Sequence, residues 1–198
     1  MPSSIHEMSL TDLRDCICDA LGSLPYDKRT LRAKVEMNLP FRSPTDGFTA
    51  TADLIVFLSS ITCLETPEIP VIVECAFSQD PDDLWTKMEK EISAHPEVAL
   101  LVAIVITELP GYRSPEEDSE AWKKFVQEDT CHNAKSFLAL KDHCATTEAR
   151  SLHIKVAGHL WCNVTSVDYY VWVKDGDDQK INIDRTHDAH GVSCRVAQ

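Results

Sequence analysis

Thr51-Ala-Asp53-Leu-Ile-Val-Phe-Leu58 and Val71-Ile-Val-Glu74-Cys-Ala-Phe-Ser78 decide how this chain is read. Both are apolar runs rich in β-branched and aromatic residues and bounded by turn formers, the pattern of strands covered on both faces. An acid opens the first run and a second acid interrupts the other. Burying a carboxylate without a partner is costly. If Asp53 and Glu74 face one cleft about 4 Å apart, they repel by about 4 kcal/mol at an effective dielectric of about 20. A bound cation removes that cost, and so does a proton on one of the two. The pair is therefore the first candidate for chemistry.

Working outward, Asp80-Pro81-Asp82-Asp83 is a helix start: a cap, a proline in the first turn, and acids at the positive end of the dipole. The helix is predicted from about Asp80 to His95, with Leu84, Met88 and Ile92 as its core stripe and Lys87 and Lys90 along its length. A buried strand over 98–106 follows, and the short connection makes strand, helix and strand a right-handed crossover unit. Upstream, Ser9 caps a predicted helix over 10–21 that Gly22 ends. Alternation over 31–41 gives a strand, and 43–47 a turn. The order is helix, three strands, helix, strand. Further on, helices are predicted over 115–127 and 131–141, strands over 152–157, 159–165 and 169–174, a turn over 175–178, and a loose tail after 184. One α/β domain is expected, with a core over about 7–108 and an α+β C-terminal extension over about 109–198.

The 198 residues are 43% hydrophobic and 26% charged, ordinary values for a globular protein with a full core. The longest uncharged apolar run, 98–106, is far short of the roughly 20 residues of a membrane helix. The N-terminus has no basic start followed by an apolar run, so no signal peptide is expected. The eight cysteines include no Cys-x-x-Cys spacing, and Cys75 and Cys162 lie in apolar surroundings typical of buried thiols. A reduced intracellular protein, cytoplasmic or nuclear, is the expectation. Of the net charge of −13, residues 49–108 contribute −9, with two Lys/Arg against eleven Asp/Glu. Acidity thus gathers around the suspected site, as a cation-binding cleft requires, and argues against indiscriminate binding to phosphate backbones. The one basic cluster, Lys28, Arg29, Arg32 and Lys34, either contacts a polyanion or is a solvated turn and helix end.

The element order, the acid at the head of the second strand and the Glu inside the third resemble the PD-(D/E)xK nuclease superfamily, the restriction-endonuclease-like fold. The resemblance covers about residues 7 to 108, half of the chain. It implies a mixed central sheet and hydrolysis of phosphodiester bonds, with DNA as the expected substrate. It also implies a Mg²⁺ or Mn²⁺ ion held by Asp53, Glu74 and the backbone carbonyl of Cys75. A hard divalent cation suits that chemistry because it neutralises phosphoryl oxygens and generates hydroxide from water. Magnesium needs only one or two carboxylates, the rest of its shell being water and phosphate. The family's Lys two residues after the Glu is absent here, where Ala76 stands. Some members, the Uma2-like branch among them, carry the basic residue on the following helix. Lys87 has the better register for that role and Lys90 is the alternative. An acid on the first helix is also common in the family, with Glu7 and Asp15 as candidates. Ser78, Gln79, Lys28, Arg29 and Arg32 are the candidate substrate contacts. Nucleases of this fold often pair to cut both strands, so a homodimer fits the resemblance without being required by the chain. Ala76 is equally what a catalytically inactive member would show, a protein-interaction module working through its acidic or aromatic surface. Whether the chain is an enzyme stays open at this point.

Other constellations point less clearly. Cys131-His132, His143-Cys144, His153, His159, His187 and His190 invite structural zinc, but no close ligand pair of the usual spacing occurs. There is no Gly-x-Ser-x-Gly elbow and no phosphate-binding loop.

Overall fold

The two apolar runs are neighbouring antiparallel strands in the computed structural model, which describes residues 4–42, 47–62, 67–77, 80–127, 136–137, 139–140, 153–176 and 178–192. In chain order the elements are α1 (Ser4–Ser23), β1 (Leu31–Arg42), β2 (Thr49–Ser60), β3 (Glu68–Phe77), α2 (Pro81–Ala94), β4 (Leu100–Glu108), the short α3 (Glu120–Trp122) with a π-helical turn (Lys123–Gln127), β5 (His153–Val156), β6 (His159–Val173) and β7 (Ala189–Val192). The protein is α/β, with an open mixed sheet of seven strands among the described residues, ordered β1-β2-β3-β4-β6-β5 with β7 on β6. β1, β2 and β3 pair antiparallel, whereas β3 and β4 run parallel from Val71↔Leu100 to Phe77↔Ile106. A parallel pair needs a crossover connection, and α2 supplies it.

The chain divides into two compact units: one holds residues up to Ile106 together with the segment that begins at Asp168, and the other is built on Thr107–Val167. The sequence had suggested a boundary near 108 with everything later in an extension. The second half of β6 and β7 instead belong with the first unit. Within that unit, Ile72 and Ala76 of β3, Leu101 of β4 and Trp172 of β6 pack against Leu84, Met88 and Ile92 of α2 in one buried cluster. α1 lies against β1, β2 and β3, and its Leu10 is fully buried.

α2 forms as its sequence dictates. Asp80 caps it by accepting from the Asp82 amide at 3.0 Å, Pro81 occupies the first turn, and the His95 amide closes the far end on the Glu91 carbonyl. Elsewhere local signals misled. α1 runs through Ser9 and begins at Ser4, with Glu7 in its first turn. Thr11 is absorbed by donating its hydroxyl to the Glu7 carbonyl four residues back, at 2.7 Å. The helix predicted over 115–127 is interrupted because Asp118 adopts a left-handed φ of 66° and Ser119, not Pro115, caps the turn that follows. The two strands predicted over 159–165 and 169–174 are one strand, β6, since neither glycine nor proline breaks the run. The tail after Asp184 is not loose throughout: Ala189–Val192 pairs with β6, and Arg185 binds Asp175, Asp188 and the Val173 carbonyl. The helix predicted over 131–141 falls almost wholly outside the described residues.

Met88 faces the cluster at zero exposure. Met88→Ala should therefore lower unfolding free energy by about 2–5 kcal/mol in a denaturant titration, whereas Met88→Leu should cost less than about 1.5 kcal/mol. Equal effects of the two substitutions would contradict this placement of α2.

Candidate active site

The β2–β3 ladder runs from Leu58↔Glu68 to Leu54↔Val73 and stops there. Asp53 and Glu74 are the next residues past its end. Ile55 and Ile72 are partners in the ladder, so Asp53 and Glu74, each two positions along, point to the same face, the one covered by α2. Where the strands part, side chains replace the missing backbone partners. The Cys75 amide donates to Asp53 Oδ2 at 2.8 Å, and Lys87 Nζ, reaching down from α2, donates to the Thr51 carbonyl at 2.9 Å. Lys87 Nζ also donates to Glu74 Oε2 at 2.5 Å, and Glu91 Oε1, one turn further along α2, lies 4.0 Å from the same ammonium. The fork opens into a cavity of about 330 Å³ lined by Asp53, Glu74, Cys75, Lys87, Leu84, Asp80 and Asp83.

Burial sets the electrostatics. Glu74 is 1% exposed and Glu91 fully buried. Loss of water, then the charge of Glu91, then that of Asp53 push the Glu74 carboxyl up to about 10, against the opposing pull of Lys87. Burial raises Glu91 as well. As two ionised carboxylates they have no hydrogen to share, and Glu74 Oε1 and both Glu91 oxygens then lack a donor. Burial also opposes the Lys87 ammonium, but Glu74 and then Glu91 outweigh it and raise its pKa, so Lys87 stays a cation at neutral pH and is no general base. Burial, Asp53 and Glu74 push the Cys75 thiol up to about 12, which keeps it protonated. Only its backbone carbonyl remains as a hard donor.

Asp53, Glu74, Cys75 and Lys87 are thus brought together. Lys90 is not: it is exposed and does not line the cavity. Lys28, Arg29 and Arg32 are exposed and lie away from the cavity lining. Lys28 donates to the Gly22 carbonyl at 3.3 Å, and the Arg29 amide is held by Asp27, which makes this segment a turn following α1. Of the first-helix acids, Glu7 is close enough to Cys75 to raise its thiol, whereas Asp15 pairs with Arg14 at the surface. Ser78 and Gln79 lie outside the described residues, as do Cys131, His132, His143 and Cys144. Among the described residues no group of three or more His, Cys, Asp or Glu side chains forms a metal cage. His153 and His159 are engaged with Asn163 and the Arg113 carbonyl.

Glu91 went unnoticed in the sequence, although the signal was there. It stands four residues after Lys87 and three after Met88, so an acid lies on the buried stripe of an amphipathic helix. Asp80 and Asp83, the acids of the helix start, also border the cavity.

Compared with known proteins, the chain matches no family model, no curated protein and no solved structure.

A carboxyl whose folded pKa is raised stabilises the fold fully below its unfolded value and loses that contribution as pH rises towards the folded value. For Glu74 the window runs from the ordinary 4.5 up to about 10. Melting temperature should therefore fall between about pH 5 and about pH 9 more steeply for the parent than for Glu74→Gln, which carries no ionisable group there. Parallel profiles would contradict the burial argument.

Proposed function

We propose that the protein is a divalent-metal-dependent nuclease-like enzyme that hydrolyses phosphodiester bonds, with DNA as substrate and Mg²⁺ or Mn²⁺ as the ion. One observation carries the reading: Asp53, Glu74 and Lys87 converge on a single cavity at the point where β2 and β3 separate. The absence of a lysine at Ala76 is offset by Lys87, whose ammonium sits 2.5 Å from the same carboxylate.

The residues fit a hard cation. Glu74 Oε1 is buried without a donor, Asp53 lines the same cavity, and the Cys75 carbonyl belongs to the same strand end. Two carboxylates and a carbonyl, with no thiolate or imidazole among them, are a donor set for Mg²⁺ or Mn²⁺ rather than zinc. Such an ion, when bound, supplies charge neutralisation for the phosphate and acidifies a water. Asp53 is positioned for this by the Cys75 amide, which fixes one of its oxygens. Lys87 is anchored to the Thr51 carbonyl and lines the same cavity, so its charge would stand near the negative charge that develops on a scissile phosphate. Asp80 and Asp83 make the cavity mouth acidic, so a phosphodiester would enter only with a cation to offset them. Among the described residues no helix is long and apolar enough to cross a membrane. The buried free thiols Cys75 and Cys162 suit a reducing intracellular compartment, and we place the activity there.

A second reading, a non-catalytic interaction module on the same fold, is favoured by one feature: Lys87 already occupies Glu74 Oε2 without any ion. Binding and turnover separate the two. MnCl₂ should raise the melting temperature of the parent but not of Asp53→Asn, and supercoiled plasmid should be nicked in the presence of Mg²⁺ or Mn²⁺. Lys87→Ala should lose nicking by about 10²–10³-fold, the usual cost of removing one preorganised charge-stabilising donor, and Lys90→Ala should retain it. Metal stabilisation without nicking would favour the module, and no metal stabilisation of the parent would remove the hydrolase reading.

A further inference from the structure

Glu91 has no part in the reading above, yet it is a fully buried carboxyl on the stripe that Leu84, Met88 and Ile92 use for packing. Neither of its oxygens has a hydrogen-bond donor. An apolar side chain at that position would continue the stripe and spare the cost of burying a polar group unsatisfied, about 1–3 kcal/mol. Lys87 Nζ stands 4.0 Å from Glu91 Oε1. That same ammonium stands 2.5 Å from Glu74, the carboxylate assigned above to a divalent ion.

We infer that Glu91 is the second seat of the Lys87 ammonium, the counter-charge that receives Lys87 when a divalent cation shares Glu74. The inference rests on the proposed metal site. Lys87 on Glu74 Oε2 and a divalent cation on the same carboxylate repel each other, because like charges a few ångströms apart interact strongly where water is scarce. A turn of Lys87 from Glu74 to another anion relieves that repulsion. Asp53 is no refuge, since it shares the cavity with the ion. Glu91 lies on the same helix one turn onward, the spacing at which a lysine and a glutamate meet. A shift of the ammonium towards Glu91 leaves Lys87 beside the cavity, charged and available to a phosphate oxygen. Glu91 is thus a positioning residue that acts through Lys87 and touches neither substrate nor ion.

The test uses the full chain, freed of metal with a chelator and titrated with MnCl₂ alone, with melting temperature as the readout. Parent, Glu91→Gln, Lys87→Met and the double variant are compared. Glutamine keeps the size of Glu91 and removes its charge, exchanging one acceptor oxygen for an NH₂ donor. The Mn²⁺ concentration giving half of the thermal shift should rise at least about tenfold in Glu91→Gln, the scale on which supporting groups tune metal affinity. In the Lys87→Met background the same substitution should change nothing, because the charge it was meant to receive is gone. Glu91→Asp, which keeps the carboxylate, should stay closer to the parent than Glu91→Gln does. A parental midpoint in Glu91→Gln overturns the inference, and so does an equal loss in the Lys87→Met background, which would mean that Glu91 acts on the fold or the ion directly. A parent with no Mn²⁺-dependent shift overturns the metal reading and this inference with it. A parent that shifts while the variants fail as described overturns the inference alone.

Discussion

The contact between the Lys87 ammonium and the buried Glu74 carboxyl holds the site together. A carboxyl at 1% exposure inside the core of a mixed sheet needs a partner, and that partner comes from the helix rather than from the sheet. That fixes how α2 must lie. The helix has to bury Leu84, Met88 and Ile92 against β3 and β4 and at the same time reach Glu74 with Lys87 and the Thr51 carbonyl with the same ammonium. Packing and charge compensation therefore choose one register for α2. A buried polar contact of this kind contributes little net stability compared with an apolar replacement. Its retention is easier to understand as specification of a geometry than as a source of free energy.

The second constraint is the separation of β2 from β3. β2 stays paired with β1 as far as Thr49↔Arg42, while its pairing with β3 ends at Leu54↔Val73. The strand ends that part there would leave amides and carbonyls unsatisfied. Asp53 and Lys87 fill two of those vacancies, at the Cys75 amide and the Thr51 carbonyl. The groups that heal the sheet are thus the groups that line the cavity. Site and fold share their hydrogen bonds, and a substitution at Asp53 should disturb both.

How much of this could be seen in the sequence follows from the range of the forces involved. α2 was legible to within a residue at each end because its cap, its proline and its acidic first turn are all local. Asp53 and Glu74 stood out because each is an acid in an apolar strand, and Lys87 was favoured over Lys90 by helical register alone. Glu91 was equally visible in principle, but a periodic stripe draws the eye to its apolar members, and the acid among them was missed. The continuity of β6 was not legible: Ser166 and Asp168 look like turn residues, yet no glycine or proline breaks the run, and Asp168 pairs with Val192 of β7. The interruption at Asp118 depends on a left-handed backbone that an aspartate tolerates and does not announce. The fork itself is a tertiary fact, since nothing in residues 51–58 or 71–78 says where two paired strands will part.

The central claim is that Asp53 and Glu74 together hold one divalent ion. It is tested most directly by crystals soaked in Mn²⁺, with diffraction collected at the manganese absorption edge. The account predicts one anomalous peak in the cavity at the β2–β3 fork, within coordination distance of a carboxylate oxygen of each residue. A map without that peak, in which Lys87 still occupies Glu74, would contradict it.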